Sequence, residues 1–384
     1  MQQDQLPNLR KRITWVDVLK FLSIFMVICI HCSDPFNVSP EARSNPDFNF
    51  WGGIYGSFLR PCVPLFVMIT GLLLLPVKMS FEDFYIKRLT RVLVPFVIWS
   101  VLYNIFPWIT GIIGLPPTVL SDIFAYASPD SSQSFTDAIK NILLTPLNFN
   151  VYTIHLWYIY MLIGLYLYMP IISAWIEKAS AKHKRMFLYI WACTLFIPYI
   201  NTFFSDKIFG VCSWNSFGTL YYFAGFNGYL ILGNYLTQNT NPLKWKKVLA
   251  ISIPLFIIGY IVTYMGFKAM TANPNCSEEE MELFFLYCSP NVAMMTIAVF
   301  LIVRNIKINS VKVINLFSNI TKCGLGIYFV HYFIVGIGYK LSDIFQIPIQ
   351  FKIPVTAVIV FLISWSIVSC IYRIMPKTSK WIFG

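Results

Sequence analysis

Charge is what this sequence has least of. Only 12% of its 384 residues are Asp, Glu, Lys or Arg, about half the share a water-soluble domain carries, and this excludes an ordinary soluble fold. Paired cysteines are missing too. The nine cysteines are scattered, mostly within apolar stretches and without CxxC spacing, so they read as small apolar fillers rather than a metal site or a disulfide frame. Cys276 and Cys288 fall on one side of the expected topology, where a disulfide between them is an option. No internal repeat, the usual mark of secondary transporters, is evident. A small-residue cleavage site is also lacking: Arg10-Lys11-Arg12 leads into an apolar run that ends in His31-Cys32-Ser33-Asp34-Pro35. That run is therefore expected to stay in the chain as a helix. The net charge of +12 comes without a basic stripe interleaved with aromatics, so no nucleic acid is expected as a partner.

What the sequence has instead is apolar length. Residues of the AVILMFWYC set make up 57% of the chain, and mean hydropathy is +0.64. The apolar residues come in blocks of about twenty, enough for a helix to cross a bilayer. Backbone groups in lipid must be satisfied within the segment, so the blocks are helices. The expected fold is an all-α polytopic membrane protein forming a single domain over 1–384, with about ten transmembrane helices. The spans are expected at 13–33, 52–76, 92–113, 152–174, 186–204, 217–237, 248–267, 285–303, 322–340 and 353–373. Pro170 is expected to mark the end of the fourth, Pro198 and Asn201 shorten the fifth, and the tenth stops before Pro376. The longest connection, 114–151, reads as a loop with a short helix near Asp137–Leu144. Of the 29 Lys and Arg, 21 fall on the termini and even-numbered connections and six on the odd ones, which places both termini inside. The basic inner loops are expected to touch anionic lipid. The outer acids Glu278, Glu279, Glu280 and Glu282 read as a solvated face.

Ionisable groups within spans are costly and therefore mark candidate sites. The first helix carries Asp17, Lys20 and His31. At 100° per residue, Lys20 and His31 lie within about 20° of one face and Asp17 about 40° from it, with His31 about 16 Å beyond Lys20. Asp17 and Lys20 are spaced to pair across a turn. Arg60 sits toward the outer side of the second span. His331 lies mid-span in the ninth and is expected to line a polar cavity, with Tyr328 one turn away on the same face. His155 reads as an interfacial residue at the outer start of the fourth span, and His183 as a solvated one. On the inner side Arg88 and Arg91 share a face just before the third span, where guanidinium forks suit phosphate oxygens. Each has a plain alternative: an interfacial histidine, a snorkelling ion pair, or orienting charge.

Five segments in order resemble the membrane-embedded acyltransferase-3 family, especially its surface-polysaccharide O-acetyltransferases. Trp15-Val16-Asp17-Val18-Leu19-Lys20 through His31 resembles the family's first helix, with Lys20 where an Arg is usual. Val63-Pro64-Leu65-Phe66-Val67-Met68-Ile69-Thr70-Gly71 resembles its VPLFFMISG segment, with Thr70 for Ser. Phe84 through Pro95, with Arg88 and Arg91, resembles its inner Arg-x-x-Arg loop. His155-Leu156-Trp157-Tyr158 to Pro170 resembles its fourth segment, and Leu325-Gly326-Ile327-Tyr328 with His331 its SLGIYxxH. The resemblance implies transfer of an acyl group, usually acetyl from cytoplasmic acetyl-CoA, to a hydroxyl of a cell-surface or lipid-linked glycan at a bacterial inner membrane, with no metal. His31 would be the general base, Asp17 would fix Lys20, and His331 would orient the sugar or stabilise the oxyanion. Lys20, Arg88 and Arg91 would hold CoA phosphates. Arg60, His155, Trp157 and Tyr328 would contact the acceptor. A transporter or flippase of a polar substrate, and a non-catalytic membrane sensor, would use the same polar track.

Overall fold

The structure is a computed structural model and describes all residues except 1–12, 38–41, 43–44, 117–118, 121–122, 125, 128–132, 206 and 274. The basic triplet Arg10–Arg12, Arg43, Pro117 and most of the Ser-rich stretch 128–134 lie outside the described residues. The described chain is helical, as the apolar blocks require. Its helices are α1 (Thr14–Asn37), α2 (Pro46–Leu59), α3 (Cys62–Leu74), α4 (Phe81–Ile113), α5 (Phe135–Leu144), α6 (Trp157–Lys178), α7 (Ala181–Thr194), α8 (Ile197–Phe203), α9 (Asn227–Gln238), α10 (Trp245–Thr271), α11 (Glu278–Glu282), α12 (Pro290–Arg304), α13 (Val311–Ile344), α14 (Ile349–Ile374) and α15 (Ser379–Phe383). Among the described residues nine helical stretches are long and apolar enough to cross a membrane, and the protein is a multi-pass membrane protein.

Several expected boundaries need correction. The sixth span, expected at 217–237, is α-helical only as α9, 12 residues and about 18 Å long, preceded by a single 3-10 turn at Tyr221–Phe223. Positive-φ Gly218 and Gly225 interrupt the stretch before it. The indole of Trp191, about 15 Å along α7, donates to Gly225 O at 2.9 Å, so α9 starts partway down the bundle. The second span is two helices, broken at Arg60-Pro61. The fifth is likewise broken at Leu195–Phe196, ahead of Pro198. Pro170 does not end the fourth span, because α6 runs through it to Lys178. The third and ninth spans extend well past their apolar windows, as α4 of 33 residues and α13 of 34. Ser80 caps α4 by accepting from Asp83 N at 3.1 Å, which starts that helix eleven residues before its apolar block. Cys276 and Cys288 are free thiols.

α1 is the axis of the bundle, packed against α2, α3, α12, α13 and α14. The pair α3 and α9 approach closely because glycines face backbone. A Cβ on Gly71 would lie 2.0 Å from Leu230 O, and one on Gly233 would lie 2.2 Å from Met68 O. Van der Waals packing of small residues is what joins helices in lipid, where apolar burial gives little net drive. Segments carrying basic residues meet at one end. Lys78 pairs with Glu177 at 2.9 Å, Lys184 reaches Asn239 at 3.3 Å, and Arg304 donates to Thr240 O at 2.6 Å.

Candidate active site

The site begins with the row Lys20, Ile24, Val27 and His31 on α1. Spaced by four, three and four, these residues form one stripe along an α-helix. All four face a cavity of about 270 Å³ between α1, α3, α4, α6 and α13. At its basic end stand Lys20, Arg88, Arg91 and Thr321. At its other end stand His31, His155, Tyr158, Tyr287 and Tyr328. Between them the wall is largely apolar, with Ile24, Val27, Val63, Phe66, Ile69 and Leu162, and with Thr70 beside Ile69. Lys20 and His31, which the sequence placed on one face, therefore open into one space about 16 Å apart along the axis. Arg88 and Arg91 reach it from within α4 itself, not from a loop ahead of it.

His31 has a partner that sequence reading passed over. Its Nδ1 lies 3.1 Å from Asp34 Oδ2, three residues on, with the carboxylate partly exposed. With the ring proton on Nδ1, that nitrogen donates to Asp34 and Nε2 carries the free lone pair. The turn is shaped by Pro35, which lies inside α1. Proline has no N–H, so the carbonyl four residues back, that of His31, loses its helical donor. The Tyr126 hydroxyl supplies one at 3.2 Å. Asp34 was legible only as part of the expected helix end; its i,i+3 spacing from His31 and the proline after it were the signal available.

The other histidines converge here. The rings of His31 and His331 are 5.2 Å apart, and those of His155 and His331 are 6.1 Å apart. His155 is not interfacial as expected: it is 2% exposed, stacked on Tyr332 at 4.1 Å and edge-on to Tyr103 at 4.6 Å. Neither of its ring nitrogens has a hydrogen-bond partner among the described residues, although His155 lines the cavity. Buried polar groups of this kind are uncommon and call for a ligand or solvent partner. His331 does not line the cavity. It sits behind His31, fully buried, with Nδ1 2.6 Å from Tyr328 O. Among the described residues no group of three His, Cys, Asp or Glu is arranged to hold a metal ion.

The remaining expected site residues divide. Trp157 lines the cavity and stacks on Tyr287 at 5.6 Å. Tyr328 lines it as well, with its hydroxyl donating to His155 O at 2.5 Å. Asp17 is buried one turn below Lys20 and outside the lining. Arg60 is also outside it. The break at Pro61 turns its guanidinium onto the Phe285 ring, 3.9 Å from the centroid, and its Nε donates to Gly56 O at 3.1 Å. His183 is exposed, as expected.

The cavity thus joins in one space a cluster of cations, a largely apolar passage and an imidazole paired with a carboxylate. Comparison with curated proteins and with solved structures finds no match. A family model described as an acyltransferase domain matches residues 13–373. With nearly all of its length covered, this membrane helical bundle belongs to the acyltransferase-3 family of acyltransferase domains.

Proposed function

We propose that the protein moves an acyl group, acetyl in the first instance, from cytoplasmic acyl-CoA to a hydroxyl of a cell-surface or lipid-linked glycan at a bacterial inner membrane. One observation carries this reading: Lys20, Arg88 and Arg91 and the His31–Asp34 pair open into the same apolar-walled cavity. The cations suit the donor's phosphates, and the passage between suits a thin, weakly polar pantetheine arm. Asp34 holds the proton of His31 on Nδ1. His31 Nε2 then takes the proton of the acceptor hydroxyl as its oxygen attacks the thioester carbonyl. The carbon–sulfur bond breaks, the sulfur leaves as thiolate, and His31 returns the proton to it, giving an ester and CoA thiol. His155, buried and with neither ring nitrogen bonded among the described residues, is suited to donate to the oxyanion that forms between these steps. Trp157 and Tyr287 offer aromatic faces to the acceptor.

The test is release of free CoA thiol from acetyl-CoA by the purified protein supplied with glycan acceptor. His31→Ala is expected to lower kcat by about 10²–10⁴-fold. An unchanged rate in that variant, or movement of a glycan across the membrane with no thioester consumed, would overturn the reading.

A further inference from the structure

A second cavity, of about 530 Å³, opens at the basic end and shares Arg91 with the first. Its wall brings together Lys87 and Arg91 of α4, Lys322 of α13, Tyr372 of α14, and Lys380 and Trp381 of α15. Four cations line it and no Asp or Glu side chain does; Gly384 lines it too, its O accepting from Arg91 Nη2 at 3.5 Å and from the Tyr372 hydroxyl at 3.4 Å. The cations lie among aromatic faces instead: Lys322 Nζ is 4.7 Å from the Tyr372 centroid and Lys380 Nζ 5.7 Å from that of Trp381. Such contacts hold a cation in place without neutralising it. Orientation in the membrane needs basic residues on this side, but it does not need four of them, from three separate helices, around one hollow with an indole at its rim. α15 is a firm support, since Phe383 is buried and Trp99 Nε1 donates to Ile382 O at 2.9 Å. Trp381, half exposed, stands out from it.

We propose that this cavity is the subsite for the nucleotide end of the acyl donor. Lys322 and Lys380 take the 3′-phosphate and Trp381 the face of the adenine. Arg91, at the junction, takes the pyrophosphate as the pantetheine arm turns into the first cavity. The proposal rests on the donor being a CoA thioester and adds where its far end lies. A lipid phosphate shares the chemistry of the 3′-phosphate, so the test must separate them.

The full chain is reconstituted in phosphatidylcholine vesicles, and its binding of CoA, dephospho-CoA and 4′-phosphopantetheine is measured. The unaltered protein is expected to bind CoA about tenfold or more tightly than dephospho-CoA. Lys322→Ala/Lys380→Ala, which alters two exposed side chains, is expected to close that gap while leaving 4′-phosphopantetheine binding unchanged. Trp381→Ala should weaken CoA and dephospho-CoA alike, and Trp381→Phe should recover most of the loss. Equal binding of CoA by the double variant and the unaltered protein would overturn the subsite. So would a loss shared by all three ligands. A double variant that differs only in its response to phosphatidylglycerol in the vesicles would assign the cavity to lipid and overturn it as well. Failure of the unaltered protein to bind any of the three would overturn the donor reading itself.

Discussion

Asp34 and His31 illustrate what a helix can do within one turn. A general base needs one ring nitrogen fixed and the other free, and an acid three residues along the same helix fixes it without help from another segment. Asp34→Asn keeps the shape but gives up the charge that favours imidazolium during the reaction. Its kcat is expected to fall between those of the unaltered protein and His31→Ala, with KM for the donor unchanged; steady-state thiol release measures both. The stripe from Lys20 to His31 was legible because helical spacing is rigid, and Lys20, Ile24, Val27 and His31 do face one cavity. The positions of His155, His331 and Arg60 were not legible, because each depends on another helix. His155 is buried by Tyr103 and Tyr332 from α4 and α13, and Arg60 is drawn away by Phe285.

Among the helices, prolines and glycines decide local shape, and tertiary partners complete it. Pro35 deprives the His31 carbonyl of a donor and Tyr126 restores one. In the same way Pro354 frees the Gln350 carbonyl, which accepts from Tyr55 at 2.7 Å. Tyr126→Phe leaves the His31 carbonyl unsatisfied, and a loss of about 1–3 kcal/mol is expected. Pro35→Ala supplies the missing N–H from within the helix, so the double variant should regain much of that stability. Thermal unfolding in detergent across the four proteins gives the coupling directly. The α3–α9 contact makes a second forecast. Gly71→Val would drive side-chain carbons into the Leu230 backbone, and a lowered unfolding temperature, reflecting about 1–3 kcal/mol or more of overpacking, is expected. Apolar length located most helices but misjudged their ends. α4 and α13 continue as polar helix beyond the apolar window, and for α4 the cap at Ser80, not hydropathy, sets the limit. The late start of α9 was misjudged for the opposite reason: Tyr221, Tyr222 and Phe223 supply apolar character to a stretch that, between positive-φ Gly218 and Gly225, forms only a single 3-10 turn.

At the scale of the whole molecule, sidedness is the property to measure. Basic segments from α3–α4, α6–α7, α9–α10 and the end of α12 meet at one end, and charge bias was enough to group them in advance. In sealed vesicles, His183→Cys should react with an impermeant thiol reagent only from the cytoplasmic face and Trp214→Cys only from the opposite one, against a background in which the exposed native cysteines have been replaced. Labelling of both from one side would refute the orientation. The apolar collar of Ile24, Val27, Val63, Phe66, Ile69 and Leu162 has a further effect. A hydrated ion entering past the cations would have to shed much of its water there with few polar groups to replace it, which makes the collar a barrier to ions. On the proposed reading a neutral thioester arm would meet no such barrier, and chemistry would pass through the bundle without discharging the membrane.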